Sequence, residues 1–473
     1  MLFHFSKKRF LFLFILITFQ TSIAQTFYTG ADLSYANSIL DKGGEYRNDA
    51  GDIIDPYQYV AQRGAKMIRL RLWHTPENIL DACDNPITAS NLHDVLLAAQ
   101  RIHDNGMSLN LSLHYGDYFN DPAKQLRPNA WMGLTSQVLL DSIYQYTYKI
   151  LEKLYEQNTT PYIVSIGNET TNGFIDETTP TNGFSWPEDA DKFNAGLEAV
   201  DDFNTDYAQN ILKAVHFTES AAYWVTGEFL NHGVTNFDVI GISYYPYFSP
   251  ETSLDDVGHL FQDLIDEYNK KVILFETGFI WTHENSDSYS NFIANNGNKL
   301  DYPTSPQGQK DFLLDLSQVI SDHGGMGVLY WESGWISSEM CDKWGQGSSY
   351  ENACFFNFNE QNTSLPSFDF FRFEDTLSIA DIHTPVQINV SPNPFNSNVA
   401  ISYELEKPGT VTLIIYNQIG KPVINFSRYQ LKGNREIIWN AYEFPEGVYY
   451  FRLNMSNKVV TGKLLKVNKA LVD

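Results

Sequence analysis

Two glutamates in this chain stand where a carboxylate can act on a bound molecule. Tyr162-Ile-Val-Ser-Ile166 reads as a buried strand, and polarity flips at Gly167, Asn168 and Glu169. Lys271-Val-Ile-Leu-Phe275 reads the same way and runs into Glu276, Thr277 and Gly278. Apolar strands that end abruptly in polar residues are the pattern of a parallel β/α barrel at its catalytic rim. A pair of carboxylates at such a rim suits cleavage of a glycosidic bond, with one carboxyl protonated and the other ionised.

Other residues at strand ends could serve the same site. Met67-Ile-Arg-Leu-Arg-Leu-Trp73 alternates, so Arg69 and Arg71 share a face. Two buried guanidinium groups need carboxylate partners. One of them could hold a catalytic carboxylate ionised, or both could belong to a salt bridge remote from chemistry. Asp32 closes Thr29-Gly-Ala-Asp-Leu-Ser34, His114 closes Met107–Tyr115, and Tyr244 and Tyr245 close Asp238–Pro246. Trp331 and Glu332 end Gly327–Glu332, where alternation sends Glu332 to the face opposite Trp331.

Helical patterns separate these strands. Pro56–Arg63 is stopped by Gly64, and Asn91 caps a helix whose face is Leu92, Val95, Leu96, Ala99 and Ile102. Leu139, Ile143, Tyr146, Ile150 and Leu154 form another face, and Leu254–Tyr268 and Gln307–His323 read as helices. Between them a helix is expected to end near Glu219, with Ala222–Glu228 as the fifth strand. The sum is a (β/α)8 barrel, an α/β fold, over residues 25–373.

The flanks differ. Lys7, Lys8 and Arg9, an apolar run from Phe10 to Ile17, and Ser22-Ile-Ala24 make residues 1–24 a secretory signal peptide. Residues 374–387 read as a linker, and 388–473 as a small all-β sandwich without an acid pair or a metal cluster. Its expected strands are Val399–Leu405, Val411–Tyr416, Glu436–Trp439, Val448–Leu453 and Val459–Val467. With 32 basic and 57 acidic residues the net charge is −25, which disfavours nucleic acid and anionic membrane as partners. No apolar run is long enough to span a bilayer. Of three cysteines, Cys83, Cys341 and Cys354, at least one stays unpaired within the chain, and Cys341 and Cys354 are close enough in sequence to bridge a loop.

Taken in order, Gly30-Ala-Asp-Leu-Ser34, Ile68-Arg-Leu-Arg-Leu-Trp73, Leu113-His-Tyr-Gly-Asp117, Gly167-Asn-Glu-Thr170, Ile242-Ser-Tyr-Tyr-Pro246, Phe275-Glu-Thr-Gly278 and Trp331-Glu-Ser-Gly-Trp335 resemble glycoside hydrolase family 53, the endo-β-1,4-galactanases. The resemblance implies retaining hydrolysis of β-1,4-galactan, with Glu169 as acid/base and Glu276 as nucleophile. It implies Asn168 at the sugar 2-hydroxyl, Arg69 or Arg71 and Tyr244 or Tyr245 against the nucleophile, and Trp331 under the reacting sugar. Asp32 and His114 join the substrate-binding set. Glu332 is ranked as a supporting group. No cofactor for catalysis, a single-chain enzyme and an extracellular or cell-surface location are expected. Another retaining β-1,4-endoglycanase (a mannanase or glucanase) and a non-catalytic glycan-binding protein are the alternatives. Intact Glu169, Asn168 and Glu276 weigh against the last.

Asn285, Asp287, Tyr289 and Asn291 recur at every second position of a polar loop. Alternating oxygens of this kind suit Ca2+. The resemblance implies a structural calcium there, closed by Ser348 and Glu351, with Asn285 and Tyr289 as departures from the family's more acidic pattern. The alternative is a plain polar loop. Ser391-Pro-Asn-Pro-Phe395, Gly447-Val-Tyr-Tyr450 and Gly462-Lys-Leu-Leu-Lys466 resemble the C-terminal sorting domain of type IX secretion, which implies that machinery as a partner.

Overall fold

The computed structural model describes residues 26–178, 183–250, 253–293, 300–373, 388–405, 409–418, 421–455 and 458–467. The segments read above as signal peptide and linker lie outside them. The chain divides into two units, at 375/376.

In the first unit every strand of the main sheet is short, apolar and followed by a helix or long loop, so the strands pair in parallel. They are β1 (Tyr28–Asp32), β2 (Met67–Leu72), β3 (Ser108–Leu113), β4 (Ile163–Ile166), β5 (Leu212–Thr218), β6 (Val239–Tyr244), β7 (Lys271–Thr277) and β8 (Gly327–Tyr330). They close into a barrel in chain order, with β8 back beside β1. Outward residues such as Ile68, Val164, Val215 and Leu274 pack under the helices. Inward residues form two levels. Met67, Ile163, Ala214, Val239, Ile273 and Leu329 fill the lower one. Two residues further along their strands come Arg69, Ser165 and His216, and four further along from Val239 comes Ser243, all buried.

The helices end where local chemistry stops them. Asn91 accepts the Asp94 N–H at the start of Leu92–Asp104, and Ser253 accepts the Asp256 N–H at the start of Leu254–Tyr268. The expectation for the fifth strand is wrong. The preceding helix is Glu188–Asp206, β5 is Leu212–Thr218, and Glu219–Asn231 is helical. Lys213 and His216 dilute the apolar signal of β5, whereas Tyr223, Trp224, Val225 and Thr226 mimic a strand. Burial of Ala221, Ala222, Val225, Thr226 and Phe229 at helical spacing decides the matter.

The loop bridge between Cys341 and Cys354 that the spacing allows does not form. Cys83 bonds to Cys341 across 258 residues. Cys354 is a buried thiol whose Sγ lies 3.3 Å from the Glu351 carbonyl and 3.4 Å from that of Phe356. Nearness in sequence did not translate into facing Cβ atoms.

The second unit packs two antiparallel sheets of β9 (Asn389–Ser391), β10 (Asn398–Leu405), β11 (Gly409–Tyr416), β12 (Pro422–Gln430), β13 (Gly433–Asn440), β14 (Gly447–Met455) and β15 (Lys458–Lys466). The sheet orders are β9-β10-β13 and β12-β11-β14-β15. Phe395, Ile401, Leu413, Trp439 and Phe451 lie in their core. Sequence reading missed β9 and β12. β12 is an edge strand with no fully buried residue among those described, and a proline opens it, so its alternation is faint.

Candidate active site

The floor of the barrel's upper end is an ion-pair network that starts on β2. Arg69 places Nη1 2.7 Å from Asp32 Oδ2 and Nη2 2.9 Å from Glu276 Oε1. The same Nη2 lies 2.6 Å from Asn168 Oδ1. Arg71 puts Nη1 2.6 Å from Glu332 Oε1 and 3.7 Å from Asp32 Oδ1. Asp32 itself is fully buried and lies off the wall of the cleft. Its work is to hold the two arginines, aided by the Ser34 N–H at 2.9 Å.

Glu276 reaches this network through a break in pattern. Ile273 and Phe275 face the barrel interior, so strict alternation would point Glu276 outward. Pairing of β7 with β6 slips between Ile242 and Ser243, so Ser243 faces Glu276 rather than Phe275. The bulge turns Phe275 and Glu276 both inward. Gly241 makes room for it, because a Cβ there would sit 2.0 Å from the Phe275 ring. The Tyr245 hydroxyl donates to Glu276 Oε2 at 3.0 Å. Tyr244 is fully buried and does not line the cleft, so of the two expected tyrosines it is Tyr245 that meets Glu276.

Glu169 stands just beyond β4 in left-handed backbone, with φ +47°. Non-glycine residues rarely occupy that region, and they concentrate at working sites. Gly167, at φ +88°, makes the preceding turn, where a Cβ would meet Thr170 at 2.5 Å. Burial, then the charge on Glu276, pushes the Glu169 carboxyl up to about 8. Burial also raises Glu276, but Arg69, Tyr245 and Arg71 oppose the rise there. Of the two carboxyls, the shared proton therefore belongs on Glu169.

Asn168 is locked between the two glutamates. Its Oδ1 faces Arg69 Nη2 and His216 Nδ1, at 3.1 Å, and its Nδ2 donates to the Asn120 carbonyl at 2.9 Å. The second Nδ2 hydrogen remains for a ligand. Gln125 donates to the Asn168 carbonyl at 2.8 Å. His216 bridges on to the Ser243 hydroxyl at 2.9 Å. Burial, then Arg69, lowers His216, which keeps it neutral. His114 is held down by burial and by both arginines, and its Nε2 has no protein partner although it lines the cleft.

The cleft holds about 650 Å³ and is walled by Glu169, Glu276, Arg69, Trp331 and a rim of aromatics. Trp331 lies edge-on to Tyr350 at 4.7 Å. Phe248 and Phe292, 5.3 Å apart, are each more than half exposed. Trp344 and Phe119 form a second aromatic edge. Sequence reading missed His216, Gln125, Phe119, Phe248, Phe292 and Trp344. For His216 the signal was present, since Val215-His-Phe-Thr218 ends a strand as His114 does. Glu332 was ranked as supporting on the ground that it faces away. It is fully buried, at φ +43° just beyond β8, and supports through Arg71.

The loop read for calcium comes together. The Asn285 amide spans the carbonyls of Asp287 and Tyr289, at 2.9 and 3.2 Å, and its oxygen accepts from Asn291 at 2.9 Å. Asn291 Oδ1 is buried without a partner. A half-turn of the Asn285 amide would aim its oxygen at the same point as the two carbonyls, so neutral oxygens here fit a hard cation. The carboxylates contribute less. Asp287 accepts from the Tyr289 and Ser348 N–H groups, at 2.7 and 2.8 Å, and Glu351 is taken up by Ser286. No group of three His, Cys, Asp or Glu side chains that could hold a metal ion gathers among the described residues.

Residues 28–371 match the family described as glycosyl hydrolase family 53, and residues 389–467 the secretion system C-terminal sorting domain. The arabinogalactan endo-β-1,4-galactanase of Cellvibrio japonicus is 37% identical over 351 residues, 73% of this chain and 90% of that one. The endo-β-1,4-galactanase of Bacillus subtilis is 31% identical, covering 74% of this chain and 86% of its own. The Ignisphaera aggregans GH53 catalytic domain superposes with TM-score 0.66 at 30% identity, covering 73% of this chain and 95% of its own. With the family pattern spanning the whole barrel that carries Glu169 and Glu276, this chain belongs to glycosyl hydrolase family 53.

Proposed function

We propose that this protein hydrolyses β-1,4-galactosidic bonds within galactan and arabinogalactan chains, with retention of configuration. Glu169 gives its proton to the departing glycosidic oxygen while a Glu276 carboxylate oxygen attacks the anomeric carbon. The carbon–oxygen bond breaks as the glycosyl–Glu276 ester forms. Glu169, now ionised, takes a proton from water, whose oxygen attacks the same carbon and releases Glu276. The observation that carries this assignment is the unequal support of the two carboxyls. Arg69 and Tyr245 both contact Glu276, whereas burial, then the charge on Glu276, raises Glu169. The Asn168 amide and His114 Nε2 are positioned for sugar hydroxyls, and Trp331 for the face of the reacting ring.

The cleft is built by one chain, which acts as a monomer, and its sorting domain directs it to the cell surface or beyond. The loop at 285–291 takes a structural Ca2+ through Asp287 and Tyr289 carbonyls and the Asn285 and Asn291 amides, with no cofactor in catalysis. A rise in melting temperature on adding CaCl2 after chelation is expected, and an unchanged melting temperature would sink the site. Reducing-sugar release from debranched galactan, β-mannan and β-glucan tests the substrate. Activity confined to galactan is expected. Activity on mannan or glucan instead would keep the two glutamates and replace the substrate.

A further inference from the structure

Cys83–Cys341 takes no part in the chemistry above, yet it holds a wall of the cleft. After β8 the chain runs to Phe356 without a regular helix or strand. Within that stretch a bridge between Cys341 and Gln346 folds back a small hairpin. Trp344 stands on it, 58% exposed, and lines the cleft. Its indole packs on Phe119, stacked at 6.0 Å and 20°, and on Tyr118, edge-on at 5.1 Å. Phe119 in turn lies 4.8 Å from the Arg71 guanidinium carbon. An aromatic file thus leads outward from the ion-pair floor, and its outermost ring keeps a solvent-facing surface. A flat apolar ring rimmed by polar groups is the shape that takes the apolar face of a sugar.

Lys343 and Gln346 on this hairpin are exposed with Trp344, so its apolar anchorage is confined to Met340 at its base and to the contacts of Trp344 with Tyr118 and Phe119. Its position comes from ties to other loops. Cys341 is bonded to Cys83 in the loop after β2, and the neighbouring Ala82 N–H donates to the Asp342 carbonyl at 2.7 Å. The Asp342 carboxylate accepts the Trp344 N–H at 2.8 Å and the Tyr289 hydroxyl at 2.9 Å. The Lys343 N–H donates to Tyr118 Oη at 3.2 Å. A loop that must be ordered each time it grips a ligand loses affinity to that ordering, and a tethered one does not.

We propose that Cys83 and Cys341 are positioning residues: their disulfide fixes Trp344 as an outer platform for the galactan chain, giving the enzyme its preference for long chains over short ones. This inference rests on the galactan reading. It is tested with C83S/C341S, W344A and the triple variant, measuring kcat/KM on long-chain galactan and on galactotriose. The ratio of the two should fall about tenfold in C83S/C341S, mainly through KM on the long substrate. W344A should lower the ratio similarly, and the triple variant should fall no further, because an untethered platform and an absent one are equivalent. Dithiothreitol applied to folded wild type should reproduce the fall and leave C83S/C341S unmoved, which serves if the serine variant folds poorly. An unchanged ratio, an equal loss on both substrates, or multiplying losses in the triple variant would overturn the proposal and leave the bond a stabilising staple. A wild type that cleaves neither substrate would instead overturn the galactan reading.

Discussion

The barrel interior has two levels built from the same strands, and they behave in opposite ways. Met67, Ile163, Val239 and Ile273 at the lower level are buried hydrocarbon, and each removes apolar surface from water. Arg69, Ser165, Ser243 and the bulged Glu276 follow on those four strands, and they bury charge and hydroxyls instead. Burying ions costs more than their mutual attraction returns unless geometry is good. Here Arg69 meets Asp32 and Glu276 within 2.9 Å, so the upper level is held, and its purpose is chemistry. The difference teaches that one end of a barrel can hold the fold while the other is free to be strained, polar and reactive.

That division is easiest to break at the upper level. Glu276→Gln should lose on the order of 10⁴-fold in kcat on galactan, with folding intact by circular dichroism. Glu169→Gln should lose about 10²–10⁴-fold, and the loss should shrink for a dinitrophenyl glycoside, whose leaving group needs no proton. An equal loss on both substrates would remove Glu169 from the acid role.

At the lower level, Ile273→Ala should cost about 2–5 kcal/mol of stability in denaturant unfolding. The kcat should stay within about twofold, since that side chain is buried away from the reacting atoms. A variant that keeps its stability but loses activity would mean the two levels are not separable.

The smallest effect concerns pH. Glu169 must be protonated, so kcat/KM should fall as pH rises through about 8, and the alkaline limb should vanish in Glu169→Gln. Stability moves the same way. The native carboxyl holds its proton to a higher pH than an unfolded one, with its usual value of 4.5. Between those two values the native state binds more protons, so stability falls as pH rises through that window. Glu169→Gln should therefore melt a few degrees higher than wild type near neutral pH. Equal melting temperatures there would contradict the burial assigned to Glu169.

Much of this was legible in order along the chain. Polarity flips after apolar runs locate Glu169, Glu276, His114 and Trp331, because a strand buried on both faces must turn polar where it reaches the rim. Helix caps such as Asn91 are equally local, since one side chain satisfies an N–H three residues on. β5 failed because Lys213 and His216 within it are polar on account of partners elsewhere, Asp201 on the preceding helix and Ser243 on β6. The sequence left Tyr244 and Tyr245 as alternatives, since which of two adjacent residues faces inward depends on register.

By itself, then, the amino-acid sequence determined the repeating alternation of strand and helix, the two carboxylates and the separate all-β unit. Those follow from hydrophobic period and local backbone preference. Only the tertiary structure decided that Glu276 points inward, which groups support one carboxyl and not the other, and that Cys341 bonds to Cys83. Each of these depends on a neighbour distant in sequence: Ser243 opposite the bulge, Arg69 beside one glutamate and not the other, and a loop 258 residues away.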